Sequence, residues 1–179
     1  MYQTLLAVGA LLAFAYFAVG RQQVDNDVER RAIMAAADLA AADLAEDRMA
    51  EILNDDDLAW DERHTENAPV RNEPGSSPLG PDTNANGDET SGSPYDDLDD
   101  VHGMVHTREV AAGAGALQFS VRDSVFYLVE TDLAARSSAP TRVKQVQVSV
   151  SELGARGRRP ATATLKRVVT PMGHHAHGR

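Results

Sequence analysis

Cysteine is absent from this 179-residue chain, which excludes both a disulfide framework and a metal site built on thiolates. Lysine is almost absent, since only Lys144 and Lys166 occur. The formal net charge is -10, so the chain offers little positive charge for contacts with phosphates. Nucleic acid is therefore not an expected partner.

The motifs of several common enzyme classes are also absent. The chain has no phosphate-binding Gly-Lys-Ser/Thr loop, no nucleophile elbow around a serine and no metalloprotease helix motif. Carboxylates are plentiful, but they are concentrated in a polar segment where solvation would leave them unsuited to acid catalysis. We therefore expect a protein that is not an enzyme.

Helix-breaking residues are missing from the first third of the chain. No proline precedes Pro69, and the only glycines before Gly75 are Gly9 and Gly20. This stretch predicts one helix of roughly fifty residues, about 75 Å long at a rise of ~1.5 Å per residue. The helix would have an apolar part at residues 1–20 and an amphipathic part at 21–53.

The apolar part contains an uncharged run from Thr4 to Gly20, which is at the short limit for a transmembrane helix. A cleaved signal peptide is the alternative. We favour a retained anchor because no basic residue precedes the run, as one would in a signal peptide. The arginines that follow it oppose export under the positive-inside rule, so the orientation stays open. The expected anchor and assembly residues are Leu5, Leu6, Leu11, Leu12, Phe14 and Phe17.

The amphipathic part has apolar residues at spacings of three and four from Val24 to Ile52, which is typical of one buried helical face. Small alanines on this face would allow close approach to a sheet or to another helix. We expect four larger side chains of this face to pack on a sheet: Val28, Leu39, Met49 and Ile52.

An acidic segment follows, and we assign it to a long loop region at residues 54–110. Residues 54–100 contain fourteen acidic residues and two arginines, whereas residues 136–179 contain nine basic residues and one acidic residue. Opposite charges at the two ends of a subunit favour head-to-tail contacts between copies. A solvated surface without such contacts is the alternative.

Part of the acidic segment resembles half of a calcium-binding loop. Side-chain oxygens alternate along the chain and are followed by a glycine, Gly87, but the twelfth position is Ser93 and not the usual glutamate. Calcium binding and a plain loop both remain open. The candidate Ca²⁺ ligands are Asp82, Asn84, Asn86 and Asp88, with Asp96 and Asp97 from further along the chain.

The C-terminal half predicts a small antiparallel sheet at residues 111–171. Four strands are expected at 117–121, 124–131, 142–151 and 162–170, with a hairpin turn at Arg122 and Asp123. In the third strand the valines point inward, and Lys144 is placed elsewhere. The His-rich residues 172–179 form a flexible tail that either binds a metal or is only a solvated end. The predicted fold class is α+β, with the amphipathic half of the helix covering one face of the sheet.

The chain resembles the type IV pilin superfamily, which includes the pseudopilins of type II secretion. The resemblance rests on the two-part helix, on the strand from Val143 to Ser151, and on the acidic sequence from Tyr95 to Gly103. That acidic sequence is similar to one in minor pilins of the mannose-sensitive haemagglutinin pilus type. Residues 1–5 do not match the basic leader, glycine and early glutamate of prepilins. Either this start is atypical and uncleaved, or the likeness is architectural only.

The resemblance implies a structural subunit of an extracellular filament or secretion pseudopilus. Its partners would be copies of itself or related pilin subunits, and the membrane would hold it before assembly. The expected location is extracytoplasmic and membrane-anchored, at a cell-surface filament. Two alternatives stay open: a single-pass, membrane-anchored envelope protein that binds a partner, and a calcium-dependent binding module for which the helix is only a tether.

Overall fold

A computed structural model describes residues 2–55, 58, 60, 79–80, 83–84, 87–88, 97–112, 115–155 and 157–171. Side chains are described at these positions except at 3–8, 83–84 and 87–88. The predicted His-rich tail at 172–179 and most of the acidic segment lie outside the described residues.

The N-terminal helix, α1, runs without interruption from Tyr2 to Leu53, as predicted. The absence of proline leaves every backbone N–H available to the helical hydrogen-bond ladder. The N–H of Asn54 still bonds the carbonyl oxygen of Ala50 at 2.9 Å, which closes the last turn. Within the part of the chain that the structure describes, no helix offers a stretch long and apolar enough for a membrane crossing.

The strands form two antiparallel sheets. A short pair joins β1 (Thr83–Asn84) to β2 (Gly87–Asp88). The main sheet has five strands in the order β3-β4-β6-β7, with β5 paired to β4. Its strands are β3 (Val105–Ala112), β4 (Gly115–Val129), β5 (Asp132–Arg136), β6 (Lys144–Leu153) and β7 (Thr162–Val169). The predicted α+β layout, one long helix on a small antiparallel sheet, is confirmed.

The predicted sheet differs from the structure in three details. The hairpin expected at Arg122 and Asp123 does not exist, because β4 continues through both residues and pairs with β3 and β6 on its two sides. β3 begins at Val105, inside the stretch assigned to the acidic loop at 54–110, so the sheet begins before residue 111. The fifth strand, β5, was not predicted at all.

One face of the sheet is buried beneath α1, which lies mainly across β6 and β7. Successive residues of a strand point to opposite faces, so one alternating set from each strand lines the interior. The buried set comprises Phe119, Val121, Asp123, Val125 and Tyr127 of β4 and Lys144, Val146, Val148, Val150 and Glu152 of β6. Three of these ten residues are charged, which is unusual for a domain interior.

The helix packs on the sheet through a narrow stripe of small residues. Ala37, Ala41 and Ala45 are buried together with Met49 and Ile52, so two of the four predicted packing residues are confirmed. The other two, Val28 and Leu39, were wrong, because their exposed fractions are 62% and 64%.

The two errors have separate causes. Val28 precedes the first residue of α1 that is buried against the sheet, Ala37. The predicted stripe advances 3.5 residues per turn on average and drifts around a helix of 3.6 residues per turn. Leu39 lies six residues before the buried Ala45. At ~100° per residue the two side chains are about 240° apart around the helix axis, so they do not share one face.

Candidate functional site

The most unusual feature of the interior is a lysine with no exposure to solvent. Lys144 is the first residue of β6 and is paired in register with Tyr127 of β4 and Val169 of β7. Its exposed fraction is 0%. Lys144 is in phase with the inward-pointing valines of β6, and strand geometry therefore directs its side chain into the core.

The ammonium group of Lys144 is held by groups from distant parts of the chain. It donates hydrogen bonds to Asp99 Oδ1 and, at 2.8 Å, to the carbonyl oxygen of Trp60. Its nitrogen lies 4.6 Å from the ring centroid of Trp60 and 5.6 Å from that of Tyr127. Ring faces of this kind stabilise a cation electrostatically. The ammonium group therefore sits between one carboxylate and two aromatic rings.

Asp99 belongs to an acidic turn, defined here as residues 97–103, which is closed by its own side chains. Asp97 Oδ1 accepts the N–H of Asp99 at 2.8 Å, and Asp100 Oδ2 accepts the N–H of Asp97 at 3.1 Å. Asp97, Asp99 and Asp100 are all buried. Gly103 ends the turn with φ at +84°, a conformation that glycine adopts without steric cost.

The acidic turn is fastened to β4 through several backbone groups. The N–H of Gly103 bonds the carbonyl oxygen of Asp123 at 3.0 Å, and the N–H of Asp123 bonds that of Met104 at 3.0 Å. Nδ1 of His102 accepts the N–H of Val125 at 3.0 Å. His102 is thus engaged as a hydrogen-bond acceptor, and the turn is fixed relative to the sheet.

Burial changes the protonation of the turn. Loss of solvent raises the pKa of Asp97 to about 8, with further raising by the charges of Asp99 and Asp100 and lowering by Lys144. Asp97 is therefore in its acid form at neutral pH. This corrects the expectation that the carboxylates of the acidic segment are all solvated, because this part of the segment is in the core.

A second buried ion pair ties α1 to the sheet. Arg48 of α1 reaches Asp123 Oδ2 through Nε at 2.9 Å and Nη2 at 2.7 Å, and it also contacts Glu51 at 3.0 Å. Nε2 of His106 lies 3.6 Å from the same Asp123 oxygen. A pocket of about 270 Å³ opens beside this group. The ion pair between Arg48 and Asp123 links α1 to β4 and fixes the position of the helix on the sheet.

The structure leaves four of the six predicted anchor residues exposed to solvent. Leu11, Leu12, Phe14 and Phe17 are exposed on the free part of α1. The side chains of Leu5 and Leu6 lie outside the described residues. The predicted anchor role of all six residues stays a prediction.

The predicted calcium loop is described only in part. Asp82, Asn86 and Asp96 lie outside the described residues, as do the side chains of Asn84 and Asp88. The described backbone pairs Thr83 with Asp88 and Asn84 with Gly87. Asp97 is buried and bonds the backbone of Asp99. Within the described side chains, no group of three His, Asp or Glu is arranged to hold a metal ion. Calcium binding stays a prediction.

Comparison with known proteins finds no relative of this chain. No protein-family model, no curated protein and no solved structure matches the chain. The buried lysine and its acidic turn therefore have to be interpreted from their own contacts.

Proposed function

We propose that this protein is a pilin-like structural subunit of an extracellular filament or secretion pseudopilus. The proposal extends to its partners, which are copies of the chain or related pilin subunits. Before assembly the apolar start of α1 holds the subunit in a membrane, with the sheet on the extracytoplasmic side.

One observation carries the proposal: the two parts of α1 have different environments. Burial of α1 against the sheet begins at Ala37. Residues 2–36 therefore extend past the sheet as a free part of the helix, about 52 Å long at ~1.5 Å per residue. This free part carries large apolar side chains in solvent, including Leu12 at 66% and Phe14 at 73% exposure.

Such a surface favours a partner. Fully burying one Leu or Phe side chain contributes about 1.5–3 kcal/mol, and several of them occur within two turns of the free part. Contiguous exposed apolar patches of this kind mark sites of protein or membrane interaction. Packing of the free parts of neighbouring helices would bury these side chains in a filament core. The α+β layout supports the same proposal, because it separates an assembly helix from a displayed sheet.

The test is electron microscopy of the native protein and two matched variants. Leu12→Asp places a charge on the free part of α1, whereas Leu133→Asp places the same charge at an exposed leucine of β5. We expect filaments from the unmodified protein and from Leu133→Asp, and none from Leu12→Asp. Isolated membrane-bound particles from all three proteins would contradict the proposal and favour a tethered envelope binding protein.

A further inference from the structure

The contact between Lys144 and Asp99 has the features of a reactive pair. The amine nitrogen donates to a carboxylate oxygen of Asp99 in the core, where Lys144 is 0% and Asp99 2% exposed. The two residues are 45 positions apart in the chain. The contact is therefore made only by folding, and folding holds an amine nitrogen against a carboxyl group without intervening solvent.

From this arrangement we infer that Lys144 and Asp99 condense to an intramolecular amide bond, Nζ to Cγ, with release of one water molecule. This covalent cross-link is independent of filament assembly. It ties the acidic turn to the first residue of β6 in a chain that has no cysteine with which to form a disulfide.

The reaction balances with the atoms that the pair already holds. The ammonium group first passes one proton to Asp99 Oδ1 along their hydrogen bond, which gives a neutral amine and a neutral acid. The nitrogen lone pair then attacks Cγ and forms the C–N bond. A second nitrogen proton joins the hydroxyl oxygen, the C–O bond breaks, and water leaves. One hydrogen remains on the amide nitrogen, and nothing is oxidised or reduced.

The surroundings favour each stage of this condensation. Burial of both groups removes the water that would otherwise solvate them and separate the nitrogen from the carboxyl group. Fixed contact between two reacting groups is equivalent to a concentration of about 10⁵–10⁸ M in well-oriented cases. Exclusion of bulk water also disfavours the reverse reaction, which is hydrolysis.

The neighbouring groups agree with a site that holds uncharged species. The acid form of Asp97, whose pKa burial raises to about 8, removes one negative charge beside Asp99. The Trp60 carbonyl oxygen, at 2.8 Å from Nζ, is positioned to accept a hydrogen bond from this nitrogen both before and after the reaction. The rings of Trp60 and Tyr127 cover the nitrogen and limit the access of water.

The first measurement is the intact mass of the full chain after folding and denaturation. We expect it to be lower than the sequence mass by one water molecule. Digestion with trypsin should then give a branched peptide that joins residues 72–108 to residues 143–156, because trypsin does not cleave after an acylated Lys144. An intact mass equal to the sequence mass overturns the inference, and this result needs no variant to fold.

Loss of water also accompanies cyclisation of an aspartate onto its own backbone, so the peptide map is decisive. A water loss confined to an unbranched peptide 72–108 overturns the cross-link. Lys166→Arg alters the other lysine of the chain and should leave the branched peptide intact. Lys144→Arg should abolish it, and Asp99→Asn should lose ammonia in place of water. Retention of the water loss in Lys144→Arg would overturn the assignment.

Discussion

Each buried charge on the inner face of the sheet is met by an opposite charge from another part of the chain. Asp123 is bonded by Arg48 of α1, Lys144 by Asp99 of the acidic turn, and Glu152 by Arg158 after β6. Replacing such a pair by apolar residues is often tolerated, but removing one partner leaves an uncompensated buried charge. These residues therefore fix which segments meet, whatever their net contribution to stability.

Lys144→Met tests this at a residue with no exposure to solvent. The change leaves the buried Asp99 carboxylate without the Lys144 nitrogen as its partner, and we expect the free energy of unfolding to fall by about 3–5 kcal/mol. Lys166→Met is the matched control, because Lys166 is exposed on β7 and should shift the value by no more than about 0.5 kcal/mol. Urea unfolding of both variants measures the difference, and equal values would contradict the burial of Lys144.

The raised pKa of Asp97 predicts a dependence of stability on pH. Its pKa rises from 3.8 to about 8 on folding, mainly through burial. Between these values the folded protein binds a proton that the unfolded chain has released, so stability must fall as pH rises. The steepest slope for one proton is about 1.4 kcal/mol per pH unit.

This pH dependence is measured by urea unfolding from pH 4 to pH 8. Asp97→Asn cannot ionise at this position but keeps a side-chain oxygen that accepts the N–H of Asp99. The unmodified protein should lose stability relative to Asp97→Asn as the pH increases. Parallel curves for the two proteins would show that Asp97 does not take up a proton on folding.

Period-two alternation in β6 is consistent with an inward-pointing Lys144. Lys144 shares the phase of Val146, Val148 and Val150, but a lysine is so rarely buried that it was placed elsewhere. The hairpin at Arg122 and Asp123 was predicted because these two polar residues separate two apolar runs, although Asp123 shares the phase of Val121 and Val125. The partners that make burial tolerable are distant in the chain, and local sequence pattern does not reveal them.

At the scale of elements, the length and end of α1 follow from local sequence, whereas its buried face depends on tertiary contact. The absence of proline and the scarcity of glycine sufficed to predict a helix that ends at Leu53. The face was misjudged at Leu39 because the predicted stripe drifts around the helix, so that alanines, and not this leucine, face the sheet. Hydrophobicity alone does not show which of these residues faces the sheet.

The strands also differ in how far local sequence pattern predicts them. β6 alternates clearly and was predicted, whereas β3 is an edge strand rich in polar residues and was assigned to the loop. Edge strands need less apolar surface because one side has no neighbour, and charged residues there discourage pairing with other chains. β3 therefore lacks the apolar pattern that identifies a central strand.

Close packing of α1 predicts that its alanine stripe will not accept larger residues. Ala41→Leu adds volume between the helix and the sheet, and we expect a loss of about 1–3 kcal/mol in the free energy of unfolding. Ala36→Leu is the matched control, since Ala36 is exposed on the same helix and should change stability by at most about 0.5 kcal/mol. Thermal and urea unfolding measure both. A neutral Ala41→Leu would contradict a tight helix–sheet interface.

At the scale of the whole molecule, one helix serves two different environments. Its C-terminal part is a component of the domain core, and its N-terminal part makes no buried contact with the sheet among the described residues. Stability of the domain and self-association should therefore be separable. A folded domain at one end leaves the other end of the helix free for an apolar partner without any change in the domain itself.

Two deletions separate these roles, because the buried stripe of α1 begins at Ala37. Removal of residues 2–27 should leave the free energy of unfolding within about 0.5 kcal/mol, since it removes no buried residue of the domain. The same deletion should abolish self-association, because it removes most of the exposed large apolar side chains of α1, including Leu12 and Phe14. Removal of residues 2–44 also takes away Ala37 and Ala41 and should destabilise the domain by several kcal/mol, as truncations in a core do.

Sedimentation velocity measures association, and urea unfolding measures stability for each deletion. If the shorter deletion destabilises the domain as much as the longer one, the free part of α1 belongs to the core. If the shorter deletion still self-associates, assembly proceeds through the sheet and not through the helix. Separation of the two effects would establish that the same 52-residue helix holds the domain together at one end and joins subunits at the other.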